Sequence, residues 1–178
     1  MLLKNGKSLT IRKAKKEDAQ EIINYLKKVG AESNNLLFGA EGLPYTVEQE
    51  ASMIEKINSS TSSALLVGIL DNKIICIGSL SSPQRERIAH QGDLALSVLK
   101  EFWGIGVGSC IMSELINFAK NSGKITVLHL GVRSDNANAI TLYKKFGFEE
   151  IGLYRKFAKI DGVYYDDFLM NLYLEDKT

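Results

Sequence analysis

FWGIGVGSCIMSELINFAKNSG, residues 102–123, decides how the middle of the chain must be built. Gly104, Gly106 and Gly108 alternate just before Met112, Leu115, Ile116 and Ala119, whose spacing predicts one apolar helix face from Ser109 to a stop at Gly123. Glycine lets the backbone turn sharply and approach a ligand closely, so the turn reads either as a strained helix start or as a phosphate-binding nest. Two phosphate motifs fail here. A dinucleotide fingerprint needs a glycine where Ser109 stands, and a P-loop needs a lysine that does not come until Lys120. A strand turning through residues 103–108 into a helix remains, with free N–H groups and the positive end of the helix dipole facing outward.

Alternating and helical periodicities extend in both directions from this point. Before it, SLTIRKA (8–14) predicts a strand and KEDAQEIINYLKKVG (16–30) a helix stopped by Gly30. Residues 31–45 read as a covering loop, and Thr46 with Gln49 forms a capping box for a second helix ending near Ser59. SSALLVGIL and KIICIGSL flank Asp71-Asn72 as a hairpin, and AHQGDLALSVL predicts a third long strand running through KEFW into the glycines. After residue 123, KITVLHLGV (124–132) reads as a strand and Ala137 to Phe146 as a short helix closed by Gly147. The strands EIGLYRKFAKI and VYYDDFLMNLYL follow, joined at Asp161-Gly162. The order implies an α/β fold, a mixed sheet with helices on its faces. No repeat or linker interrupts residues 1–178, which read as one domain.

Composition narrows the function classes. Lys and Arg total 22 against 21 acidic residues, and a net charge of +1 gives no global attraction for nucleic acid or an anionic membrane. The N-terminus lacks a signal-peptide core and no stretch is long enough to span a bilayer, so a cytoplasmic protein is expected. Cys76, Cys110, His90 and His129 show no metal-ligand spacing. Cys110 reads as a core residue rather than a nucleophile, His129 as a packed or hydrogen-bonded histidine, and His90 as a candidate for an active cleft. The run RKAKKED reads as a solvated face.

The segment NANAITLYKKFGF, residues 136–148, supplies a second constellation. Asn136, Ala139, Tyr143 and Gly147 fall on one helix side at about 100° per residue, so a small side chain sits between an amide and a phenol. Taken alone, Tyr143 reads as a core aromatic whose hydroxyl finds a partner.

Together the two stretches resemble the GNAT superfamily of N-acetyltransferases. Gly106 and Gly108 match its pyrophosphate motif, in which Arg or Gln is followed by x-x-G-x-G or A. Asn136, Ala139, Leu142, Tyr143, Gly147 and Phe148 match N-x-x-A-x-x-L-Y-x-x-x-G-F, and the order of elements fits the family fold, a central, largely antiparallel sheet flanked by helices. LYRKF and DGVYYDDFLM are similar to the branch containing ribosomal-protein N-acetyltransferases, leaving peptide and small-amine acceptors both open. Trp103 departs from the pattern, standing where Arg or Gln is usual.

The resemblance implies acetyl-CoA as cosubstrate and an amine as acceptor. Main-chain groups of Leu96 and Val98 would pair with the pantetheine arm, and the Val98 amide would polarise the thioester carbonyl. Trp103, Gly104, Ile105, Gly106, Val107, Gly108 and Ser109 would form the pyrophosphate loop. Asn136 would contact the cofactor arm, and Tyr143 would act as general acid near the sulfur. Asp93 leads as general base, with His90, Glu101 and solvent as rivals. The acceptor would enter between residues 32–45 and the final hairpin, where Glu32, Glu41, Asp161, Asp166 and Asp167 are surface charges able to attract a cation. A non-catalytic acyl-CoA sensor is the alternative, and the exposed final strands are compatible with a monomer or a homodimer.

Overall fold

The computed structural model describes residues 1–174. Seven strands form one sheet: β1 (Thr10–Lys13), β2 (Ala64–Leu70), β3 (Lys73–Ser81), β4 (Gln91–Val98), β5 (Val127–Arg133), β6 (Glu149–Ile160) and β7 (Val163–Tyr173). Four helices accompany them: α1 (Ala19–Glu32), α2 (Val47–Asn58), α3 (Val107–Ser122) and α4 (Ala137–Lys145). The spatial order is β1-β2-β3-β4-β5-β7-β6, and every neighbouring pair is antiparallel except β4 and β5. The sheet is therefore mixed.

Local signals explain most boundaries. Asp71 and Asn72 both take positive φ, as the two-residue hairpin between β2 and β3 requires. The Gln49 amide donates to Thr46 Oγ1 at 3.2 Å while the Thr46 amide donates to Gln49 Oε1 at 2.9 Å, closing the capping box of α2. Gly123, at φ 65°, ends α3.

Two expectations are corrected. Gly30 does not stop α1, which continues to Glu32; a Cβ at Gly30 would collide with the Gly39 carbonyl oxygen, so this glycine lets the α1–α2 loop lie directly on the helix. The run from β4 into the glycines is also broken, by a 3₁₀ turn at Lys100–Phe102.

Helix α3 packs on the sheet at Gly78, where a side chain would meet Leu115 and Ile111 at 2.8–2.9 Å. Ile111, Met112 and Leu115 are fully buried there. Because α3 carries the chain across to a parallel strand, β4 and β5 meet as neighbours without a hairpin to hold them. Their pairing covers only Gln91–Asp93 against Val127–His129. Beyond it, β4 stays with β3 as far as Val98, and β5 stays with β7 as far as Arg133. The sheet forks at Asp93 and His129.

Candidate functional site

One wall of the fork is the free edge of β4. The Leu99 amide donates to the Ile75 carbonyl at 3.0 Å, which fixes the phase of the antiparallel ladder. Alternation then turns the main-chain groups of Ser97 and Ala95 toward β3 and those of Leu94, Leu96 and Val98 into the gap. The Val98 carbonyl is engaged, accepting from the Trp103 indole Nε1 at 2.7 Å. The Val98 N–H and both main-chain groups of Leu96 are left as a short template for an extended, amide-bearing ligand.

The edge leads straight into the glycine turn. Gly104 (φ 77°) and Gly106 (φ 101°) occupy the left-handed region, and a side chain at either would meet no atom within 4 Å. Both border open space. Gly108 has a different reason to be glycine, because it lies inside α3 and a Cβ there would stand 3.1 Å from Leu142 of α4. The Lys4 amide holds the turn by donating to the Ile105 carbonyl at 3.1 Å. Cys110 makes the first intrahelical bond, to the Gly106 carbonyl at 3.1 Å, so the amides of Val107, Gly108 and Ser109 have no helical acceptor. Three consecutive free N–H groups at a helix N-terminus are able to receive an anion without a cationic side chain.

Helix α4 forms the next wall. Asn136 caps it, its Oδ1 accepting from the Ala139 amide at 3.3 Å. Tyr143 is 7% exposed, its ring centroid 5.9 Å from that of Phe148. Burial pushes the Tyr143 phenol up to about 12, and its hydroxyl has no hydrogen-bond partner among the described residues.

Asp93 is exposed at the point of the fork, opposite His129, whose Nδ1 lies 2.8 Å from Asn171 Oδ1. The rival bases lie elsewhere. The His90 carbonyl accepts from the Thr126 and Val127 amides at the closed end of the β4–β5 pairing, and Glu101 is paired with Lys28 at 2.8 Å. Cys110 is half-buried against the core, and Cys76 is fully buried.

The face of the fork under α1 is defined by contacts the sequence did not reveal. The Tyr25 hydroxyl of α1 lies 2.9 Å from Ser97 Oγ, so Ser97 and Asp93 share the side covered by α1. Tyr25 lies three residues after Ile22 and four before Val29, on the buried face of α1, and a buried tyrosine's need for a polar partner was the available signal. Arg133 donates from Nη1 to the Asn34 carbonyl at 2.7 Å, pairs with Asp135, and lies 3.8 Å from the Tyr165 ring centroid. The five acids expected on this side have different fates. Glu32 accepts from the Lys100 amide, Glu41 from the Gly39 amide and Asp166 from the Lys156 amide, while Asp161 occupies the β6–β7 turn. Asp167 is no surface charge; it is buried, with one carboxylate oxygen unpartnered.

Residues 16–148 match the acetyltransferase (GNAT) family. The chain belongs to that family. It is 34% identical over 105 residues to the L-amino acid N-acetyltransferase AaaT of Escherichia coli, a match covering 59% of this chain and 65% of that protein. It is 36% identical over 61 residues to the N-alpha-acetyltransferase RimI of Mycobacterium tuberculosis, covering 34% and 36% of the two chains. The matches thus span less than two thirds of either relative. The crystal structure of a GNAT-family acetyltransferase from Streptococcus pneumoniae superposes with a TM-score of 0.92 at 32% identity, covering 94% of this chain and all of that one.

In this GNAT chain, the indole of Trp103 is directed back at β4 rather than into the glycine turn. The ring remains 43% exposed, so its fixed end is the N–H and its face borders solvent. A groove of about 530 Å³ between α1 and the β2–β3 turn is separate from the fork. Among its charged lining residues, Lys28 pairs with Glu101, Lys7 pairs with Asp71, and Glu21 accepts from the Ile74 amide.

Proposed function

We propose that this chain is an acetyl-CoA-dependent N-acetyltransferase that works by direct attack of an amine in a ternary complex. The observation carrying the reading is the continuity of the β4 edge with the amide nest at Val107–Ser109. A ligand with an extended amide-bearing arm and a diphosphate fits such a surface, and the empty space over Gly104 and Gly106 admits the phosphates. When bound, acetyl-CoA supplies an acetyl group activated as a thioester.

The chain's own residues would then act as follows. Leu96 and Val98 align the arm along β4, and the Val98 N–H polarises the carbonyl oxygen. Residues 103–109 hold the diphosphate through backbone amides, while Trp103 steadies the Val98 carbonyl. Asn136 spends its oxygen on the helix cap and keeps its amide N–H groups for the arm. Tyr143 donates a hydrogen bond to the departing sulfur. A phenol near 12 is a weaker acid than a thiol near 8.5, so this donor stabilises the departing thiolate, which is protonated by solvent after release, while the attacking nitrogen gives up its own proton. Asp93, at the fork, accepts that proton directly or through water.

The working place is proposed to be the cytoplasm, consistent with two unpaired cysteines, and the chain to act as one domain, as monomer or homodimer, without nucleic acid. Thiol release from acetyl-CoA, followed across amino acids, polyamines, aminoglycosides and peptides with free N-termini, tests the reading. Turnover with at least one class is expected. Tight acetyl-CoA binding with no turnover in the whole panel would instead establish a sensor.

A further inference from the structure

Asp167 sits on β7 directly opposite Arg133 of β5, and Gly131 is the next residue of β5 on the same face. This is the face that carries Asp93 and His129 and lies under α1. Only 6% of Asp167 is exposed, its Oδ1 is closed to solvent, and neither oxygen accepts a hydrogen bond among the described residues. A buried acceptor left without a donor is costly, and most folds pair it. The obvious donor is committed elsewhere, since Arg133 spends its guanidinium on Asp135 and the Asn34 carbonyl. Burial pushes the Asp167 carboxyl up, with the Arg133 charge pulling the other way.

Space lies beside this carboxylate. Gly131 is exposed although β5 is an interior strand, because β4 has already parted from it two residues earlier. A Cβ on Gly131 would stand 3.4 Å from Asp167 Oδ2, so the missing side chain leaves a slot between the carboxylate and the fork.

We infer that Asp167 is the specificity residue of the acceptor site and that it selects acceptors carrying, besides the amine that is acetylated, a positively charged nitrogen held over Gly131 as an ammonium or amidinium group. The inference rests on the proposed acetyl transfer for its purpose, and its test is separable from it. Arg133, the cation opposite the carboxylate, is engaged by Asp135 and the Asn34 carbonyl, so the bound ligand supplies the donor that the fold withholds.

Binding is read first by the melting temperature of the protein saturated with CoA, which cannot transfer acetyl. The probes are butane-1,4-diamine, L-lysine amide and a short lysine-containing peptide amide with a free N-terminus, each of which keeps a second ammonium when one amine is neutral. At least one is expected to raise the melting temperature of wild type but not of Asp167→Asn. In steady-state assays Asp167→Asn should raise KM for the cationic acceptors about tenfold or more at nearly unchanged kcat, as expected for losing a bond to a charged group. KM for acetyl-CoA, and for an aromatic amine uncharged at neutral pH, should stay as in wild type. Without ligand, Asp167→Asn should melt no lower than wild type, because the carboxylate accepts no hydrogen bond among the described residues and is costly to bury. Gly131→Ala, which narrows the slot and leaves Asp167 intact, should raise KM for the same cations.

The inference is overturned if no cationic probe stabilises wild type, if both variants bind the probes as wild type does, or if neutral and cationic acceptors suffer equally. Asp167-dependent binding of cations by a protein that transfers no acetyl group would sink the proposed function and leave the inference standing.

Discussion

Tyr143 owes its proposed role to burial. Its phenol, pushed up from an ordinary value near 10 to about 12, keeps its proton across the working range of any amine acetylation. Since the folded value lies above the unfolded one, the stability it contributes is complete below pH ~10 and lost as pH rises toward about 12. Tyr143→Phe, which removes the hydrogen bond to the departing sulfur, should lower kcat about 100-fold with little change in acetyl-CoA affinity, and the wild-type kcat profile should show no Tyr143 limb below pH ~11. Wild-type turnover in the phenylalanine variant would remove the assignment. Trp103 makes a separate prediction. Trp103→Phe keeps an aromatic ring but deletes the N–H to the Val98 carbonyl. A bond of about 1 kcal/mol corresponds to a roughly fivefold weaker acetyl-CoA Kd, measurable by calorimetry, with acceptor KM unmoved. An unchanged Kd would reduce Trp103 to packing. The type and position of both residues were readable in the chain, but the direction of the indole was not, because it depends on how the 3₁₀ turn at Lys100–Phe102 folds back on β4.

At the level of elements, α1 and its following loop behave as one unit. Gly30 is the contact point, and the Gly39 carbonyl occupies the place of a side chain. Gly30→Ala must push the 33–45 loop outward at a cost of about 1–3 kcal/mol, lowering Tm by roughly 2–10 °C in a chain of this size. Because Asn34 of this loop anchors Arg133, the variant should raise acceptor KM several-fold while acetyl-CoA KM changes little. Equal changes in both constants would show that the loop does not belong to the acceptor side. Gly30 illustrates a limit of local reading, since a glycine after two lysines resembles a helix stop and only the returning loop reveals its packing role. The capping box of α2 and the Asp71-Asn72 turn were legible because their hydrogen bonds and dihedrals are satisfied within four residues.

Across the whole molecule, the first strand and first helix are fastened by Arg12, which donates to both oxygens of Asp18 at 2.6 and 2.9 Å. The Arg12 hydrogen bond holds the Asp18 carboxyl below its ordinary range, helped by the Lys15 amide. A lowered folded value means that this stabilisation is present above the unfolded carboxyl value of about 3.9 and is lost as pH falls through the folded one. Thermal melts should therefore show Tm dropping below pH ~4, and Asp18→Asn should lower Tm at neutral pH while flattening that acid dependence. An unaltered acid limb would place the sensitivity elsewhere. The larger architecture divides in the same physical way. Alternation, helical spacing, caps and glycine turns act over a few residues, and by themselves they determined the succession of strands and helices, the amide nest and the place of Tyr143 on α4. The fork is different, because it exists only where β3 and β7 hold β4 and β5 apart beyond Asp93 and His129. So is the contrast between Asp166 and Asp167, adjacent and alike in sequence. Strand register gives one a backbone partner and buries the other unpaired beside Gly131, an outcome that tertiary packing alone decides.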